Sequence, residues 1–402
     1  MSTTQETHNF SIVDTTDQQH IKGTPLVDDT IHHIMCFLPQ IFILGTCMLI
    51  SKQWYEQARK IPMALHVCRK DLLKSLLDRK DAINLTELEV DHIECGKLIS
   101  SSANMSSLMK LSVRDVDGQE QGDDLCVAVS QSPYLTRLTS LAMCEFTIGE
   151  VGCQALAKSS TLADLQELTL CECKLDGTNA DLLVSSLPKL TSLDLSVNAI
   201  GHFVVNNNGK KGLEQISHLC NLRVLKLSNN IGISDYDCEL ISQGLPKLIV
   251  LELLGDMVGD YGVQVIANSS NMRNLQQLRL GVAITMEGCE SLTQSEYMSN
   301  LTVLDLSGCF DLGDESCTLI TQSTFSKNLN ELALNGCFIS DLGFKTIAQS
   351  PSMAQLTKLN LGHNEISLYD GEYLTSTIYL NNLNCLILEY NEIDSEEITH
   401  LI

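Results

Sequence analysis

From Leu85 to the end of the chain, apolar positions recur in one spacing. Two leucines lie three apart, a third follows two further on, and an Asn or Cys and another aliphatic residue close the unit. Written out, the pattern is L-x-x-L-x-L-x-x-(N/C)-x-(I/L). The clearest copies are LTSLDLSVNAI (190–200), LTKLNLGHNEI (356–366), LNCLILEYNEI (383–393), LQELTLCECKL (165–175) and LNELALNGCFI (329–339). Looser copies begin at Leu85, Leu108, Leu138, Leu222, Leu248, Leu275 and Leu301, twelve copies in all. The fourth and sixth positions alternate with polar ones, which predicts a short strand with one buried face. The second half of each unit, as in GEVGCQALAKS (149–159), DYDCELISQGL (235–245) and DLGFKTIAQS (341–350), carries apolar residues at helical spacing. Each unit therefore reads as strand, turn, helix.

The late units are spaced 28, 27 and 27 residues apart from Leu301 to Leu383. A fixed period of this length marks a stacked repeat. The motif and period resemble the leucine-rich repeat, and the full helices resemble its ribonuclease-inhibitor-like and cysteine-containing classes. The resemblance implies an α/β solenoid, with a curved parallel sheet on the concave side and helices outside. Twelve strands about 4.8 Å apart would make a sheet on the order of 50 Å long. Position nine sits where the chain turns in beneath the strand. Asn198, Asn230, Asn364 and Asn391 can satisfy turn backbone there, and Cys173, Cys309 and Cys337 fill a similar space. The fifth position faces the concave side. Stacked in order, that column reads Asp194, Lys226, Glu252, Arg279, Asp305, with alternating sign. It predicts either a cross-strand ion ladder or a target-binding stripe at Lys226, Glu252, Arg279 and Asp305. Glu87 should face Lys110 in the same manner, and Asp91 should face Arg114. Two long insertions, DVDGQEQGDD (115–124) and HFVVNNNGKKG (202–212), are expected as surface loops.

Ahead of the repeats, no residue from Thr30 to Ser51 is formally charged, and the only tryptophan, Trp54, follows. Leu26, Ile31, Ile34, Phe37 and Leu38 make one helical face that Pro39 ends; Ile43, Leu44, Cys47 and Ile50 begin another. A membrane span needs about 20 mostly apolar residues, whereas this run is interrupted by His32, His33, Pro39 and Gln40 and divides into two faces. A helical cap on the first repeat is a further reading. The residues Leu26, Asp29, Ile31, Ile34, Met35, Leu38, Ile50, Lys52 and Trp54 resemble the F-box pattern. That resemblance implies a small all-α module that binds a Skp-type adaptor through Leu26, Ile31, Ile34, Leu38, Ile50 and Trp54. The expected organisation is a disordered tail (1–22), the F-box-like module (23–62), a linker with a capping helix (63–84) and the solenoid (85–402).

Composition narrows the function. Asp and Glu number 50 against 26 Lys and Arg, for a net charge of -24. Such a surface repels phosphate backbones and anionic lipid, so neither nucleic acid nor membrane is an expected partner. The polar N-terminus lacks a signal-peptide pattern, so the 16 Cys are read as reduced thiols in a cytoplasmic or nuclear protein. No GxxxxGK[ST], HExxH or GxSxG occurs. Cys171 and Cys173 read as repeat-turn and core positions, and His92 with Cys95 and His218 with Cys220 are isolated pairs that lack a second ligand pair, so no catalytic, cofactor or metal residue is assigned. The F-box and repeat resemblances together imply the substrate-recognition subunit of a Skp–cullin–F-box ubiquitin ligase, holding a target protein on the concave face or loops. Two alternatives stay open: a scaffold without ligase role, and a small-GTPase regulator with the same repeat type.

Overall fold

The computed structural model describes residues 28–36, 38, 52–68, 70–78, 84–115, 121–201, 213–230, 232–368 and 379–393. The expected tail at 1–22 and the insertion at 202–212 lie outside them. The chain divides into two compact units, residues 1–61 and 62–402.

In the first unit, helix α1 (Asp28–Met35) packs on helix α2 (Lys52–Ala58). Ile31 and Met35, one helical turn apart, are fully buried, as is Ala58. Ile34 points away and is exposed.

The second unit holds a parallel sheet of 13 strands among the described residues, paired strictly in chain order and open at both ends. The strands are β1 (Met63–Val67), β2 (Leu85–Val90), β3 (Lys110–Arg114), β4 (Ser140–Cys144), β5 (Glu167–Thr169), β6 (Ser192–Asp194), β7 (Val224–Lys226), β8 (Val250–Leu253), β9 (Gln277–Leu280), β10 (Val303–Asp305), β11 (Glu331–Ala333), β12 (Lys358–Asn360) and β13 (Cys385–Ile387). Strand follows strand because the fourth-position leucine of each repeat pairs with that of the next, as Leu225 does with Leu251 and Leu251 with Leu278. From Leu88 to Leu359 this column is at most 2 % exposed. Each such side chain contributes roughly 1.5–3 kcal/mol through burial. The protein is a leucine-rich-repeat solenoid.

Segment 63–84 differs from the expected linker with a capping helix. Its helix, α3 (Lys70–Leu77), is present, but Met63–Val67 is the first strand, with Leu65 paired to Leu88 and Val67 to Val90. MALHV alternates at period two without the leucine spacing, so it escapes a search for the repeat. The 115–124 insertion also departs from a plain surface loop. Asp115 is buried, Gln121 bridges Thr147, and Asp123 opens a helix.

The remaining helices are α4 (Ile93–Ser100), α5 (Asp123–Ser130), α6 (Glu150–Ala157), α7 (Gly177–Ser186), α8 (Asp235–Gly244), α9 (Asp260–Ala267), α10 (Met286–Thr293), α11 (Gly313–Gln322) and α12 (Asp341–Ala348). Neighbouring helices pack side by side from α4 to α7 and from α8 to α12, and several pairs are joined at their caps. Asp123 accepts from the Gly149 and Gly152 amides at the start of α6, at 2.7 and 3.1 Å. Asp260 accepts from the Thr285 and Gly288 amides at the start of α10, at 2.9 and 3.0 Å. Asp314 does the same for Ser340 and Gly343 at the start of α12. An acidic residue in one helix thus satisfies the unpaired N–H groups of the next.

Candidate protein-binding faces of the solenoid

Where position nine is Asn, or Cys as at 173 and 337, its side chain ties the turn after the strand to the preceding repeat. Asn198 Nδ2 donates to the Leu170 carbonyl of the preceding repeat (2.8 Å), while its Oδ1 accepts from the Cys173 and Leu175 amides (3.0 Å each). Asn364 repeats this with Leu334, Cys337 and Ile339. The cysteines reach the equivalent carbonyl: Cys173 Sγ donates to Met143 at 3.1 Å and Cys337 Sγ to Leu306 at 3.2 Å. Burial pushes the Cys309 thiol, and those of Cys153 and Cys289 in the helices, up to about 12. They persist as neutral thiols, unsuited to nucleophilic work.

On the open face, the fifth-position column is in register as the spacing predicts. Asp194 pairs with Lys226, Lys226 with Glu252, Glu252 with Arg279, and Arg279 with Asp305. Lys226 reaches Glu252 at 3.3 Å, and Arg279 reaches Glu252 at 3.5 Å and Asp305 at 3.3 Å. Arg279 also pairs with Glu331 at 3.5 Å, and Glu331 with Lys358 at 2.9 Å, so the chain of charges crosses into the third-position column. Asp194 is the exception: it accepts from the Ser196 amide at 3.0 Å, and among the described residues it has no ion pair with Lys226. The run Lys226, Glu252, Arg279, Asp305, Glu331, Lys358 carries no net charge and is already paired within itself. Of the other two expected pairs, Glu87 meets Lys110 at 3.8 Å. Asp91 instead accepts from His66 at 3.0 Å, and Arg114 turns to Glu145 at 3.6 Å. That hydrogen bond raises His66 above its ordinary pKa and lowers Asp91 below its own. Strand β1 explains the change, because it places His66 beside Asp91.

The rim at the C-terminal ends of the strands presents a feature that the repeat spacing does not reveal. Val282, Phe310, Phe338 and Tyr390 are exposed at the turns, Phe310 by 56 % and Phe338 by 55 %. Val282, Phe338, His363 and Tyr390 hold φ of 65°, 53°, 52° and 54°. Left-handed backbone disfavours bulky and β-branched side chains and costs on the order of 1–3 kcal/mol. The aromatic rings join across repeats. Phe310 and Phe338 centroids lie 6.0 Å apart, and His363 stacks on Tyr390 at 4.2 Å. Gly308 and Gly336 hold φ of 82° and 65°, and Val282 and Phe310 lie beside them. The sequence signal was an apolar residue at position eight or ten, where a turn needs only Gly or a polar residue.

Of the residues expected to meet an adaptor, Ile34 is exposed, Leu38 and Trp54 are half-buried, and Ile31 is fully buried. Ile31 therefore holds α1 in place rather than offering a surface. Leu26 and Ile50 lie outside the described residues. Among those residues, no helix is long and apolar enough to cross a membrane.

Residues 297–320 match the family described as Leucine Rich repeat. No curated protein matches the chain. Among solved structures, a chain of the yeast Rad7 and Elc1 complex is similar at 15 % identity and TM-score 0.58, over 92 % of this chain and 90 % of that one. An internalin, InlF, from Listeria monocytogenes str. 4b F2365 is similar at 18 % identity and TM-score 0.44, over 83 % of this chain and 92 % of that one.

Proposed function

We propose that the chain is a non-catalytic substrate-recognition subunit of a Skp–cullin–F-box type ubiquitin ligase, working in the cytoplasm or nucleus. Its first unit docks on the Skp-type adaptor, and its solenoid, of the ribonuclease-inhibitor-like, cysteine-containing class, holds the target protein. Its contribution is proximity: one protein is held beside another at high local concentration. The observation that carries the reading is a separate helical unit, exposing Ile34 over a buried Ile31 and Met35, in the same chain as a solenoid with an apolar rim. The fold likeness to a chain of the Rad7 and Elc1 complex supports a repeat protein working in a complex with a partner. The target surface is the rim rather than the ladder, since exposed apolar area stabilises a contact without first breaking ion pairs.

The test is co-purification from a native extract, probing for adaptor and cullin. Ile34→Asp removes an exposed apolar group and should weaken adaptor recovery while leaving thermal unfolding unchanged; the double variant with Leu38→Asp should abolish recovery. A wild-type chain that never recovers the adaptor would leave a protein-binding scaffold and sink the ligase reading.

A further inference from the structure

We propose that His66, Cys68 and Asp91 form a binding site for one zinc-class divalent cation that clips the first strand of the solenoid to the second. Strand β1 makes the site possible. His66 and Cys68, two residues apart in extended chain, share one face of the sheet. The parallel register pairs Val67 with Val90, so the residues that follow, Cys68 and Asp91, leave the strand ends side by side. Three donor types are thereby gathered from two adjacent chain segments, with all their ligand atoms within 4.8 Å of one another. Among the described residues, no other group of His, Cys, Asp or Glu is so placed.

The distances suit a tetrahedral ion. Zinc–sulfur bonds of about 2.3 Å and zinc–nitrogen bonds of about 2.05 Å at a tetrahedral angle put the two atoms about 3.6 Å apart. Cys68 Sγ lies 3.6 Å from His66 Nε2. Nitrogen and carboxylate oxygen on the same ion would be about 3.3 Å apart, and His66 Nε2 lies 3.0 Å from Asp91 Oδ1. The hydrogen-bonded pair needs to open by only a few tenths of an ångström to admit the ion. The donor set selects the ion. A thiolate beside an imidazole is a poor site for calcium or magnesium, which take oxygen, and a good one for zinc or cobalt. Three protein ligands leave a fourth position. His66 and Cys68 are exposed, so that position is accessible, and His66 borders an open hollow of about 400 Å³ that Glu89, Lys110 and Ser112 also line. The physical use of such a clip is clear from its place: β1 is the end strand of the sheet in chain order, and end strands are where a solenoid needs sealing.

Cobalt(II) is the probe, because only a thiolate ligand gives a sulfur-to-cobalt charge-transfer band, and tetrahedral geometry gives strong visible absorption. The full reduced chain should bind one cobalt per molecule with both features, and one equivalent of zinc should displace it. Cys68→Ser should remove the charge-transfer band, and His66→Ala or the near-isosteric Asp91→Asn should weaken binding by at least about tenfold. Cys220→Ser, an exposed cysteine elsewhere, should change nothing. Zinc should raise the thermal midpoint of the wild type and not that of Cys68→Ser, and circular dichroism of each variant confirms its fold. A chain that binds no cobalt at one equivalent, or binds it without the sulfur band, or binds it equally in Cys68→Ser, overturns the proposal.

Discussion

Position nine of the repeat is filled by two chemistries that reach one kind of carbonyl. Asn198, Asn230, Asn364 and Asn391 donate an amide hydrogen to it, and Cys173 and Cys337 donate a thiol hydrogen. The exchange is legible in the sequence, because both residues recur at the same offset. Asp256 stands at that offset in the repeat beginning at Leu248. A carboxylate cannot donate. Its Oδ1 accepts from the Asn230 amide at 2.6 Å, and its buried Oδ2 has no hydrogen-bond partner. Burial pushes the group up to about 8, so at neutral pH it is a neutral acid with a hydrogen to donate. The sign of the pH dependence follows. An unfolded aspartate titrates near about 3.9, so between roughly pH 4 and pH 8 the native chain holds a proton that the unfolded chain has released. Stability from this group is complete below that window, falls as pH rises through it, and is lost above about pH 8. Asp256→Asn supplies the donor at every pH. Urea midpoints at pH 6 and pH 9 should converge in the variant relative to wild type, with the larger gain at pH 9. An unchanged slope would mean that Asp256 is ionised in the folded chain.

Between strands, the alternation of the fifth-position column could be read directly, because the period of two fixes which residues share a face and the leucine offsets fix the register of each strand. What could not be read was where the long side chains end. Arg279 spans from Glu252 to Glu331, two strands away on the other side and one column over. Arg has five donors in a fixed fork, so it collects three carboxylates where a one-column reading allows two. Lys226 is the free end of this network, paired to Glu252 alone in the described ladder. Lys226→Glu places a third negative charge between Asp194 and Glu252. The site is over a third exposed, so the loss should be modest, about 0.5–1 kcal/mol, and high salt should recover part of it. A variant as stable as wild type that loses its target would instead make the column a binding stripe. A variant unchanged in both would mean that these charges neither support the sheet nor meet a partner.

At the scale of the molecule, the stacking of the leucines followed from spacing, but the first strand and the apolar rim did not. The first strand was hidden because MALHV keeps the alternation and drops the leucines. The apolar rim was hidden because positions eight and ten are turn positions, and exposure there depends on backbone angles that the repeat spacing does not encode. Phe338 separates a surface kept for binding from a ridge kept for stability. It is exposed, it touches Phe310 across the repeat, and its φ of 53° is one that Asn adopts more easily than Phe. If the ring serves the fold, Phe338→Asn removes a ring contact of about 0.5–1.5 kcal/mol and destabilises the chain. If it serves binding, the relieved backbone offsets that loss, and stability stays within about 0.5 kcal/mol of wild type. In that case the proteins that co-purify with the wild-type solenoid should fall away with the variant, while adaptor recovery through the first unit is untouched. Unfolding in urea and comparative co-purification give the two readouts from one preparation. A less stable variant that retains its partners would assign the rim to the fold and move the target to another face.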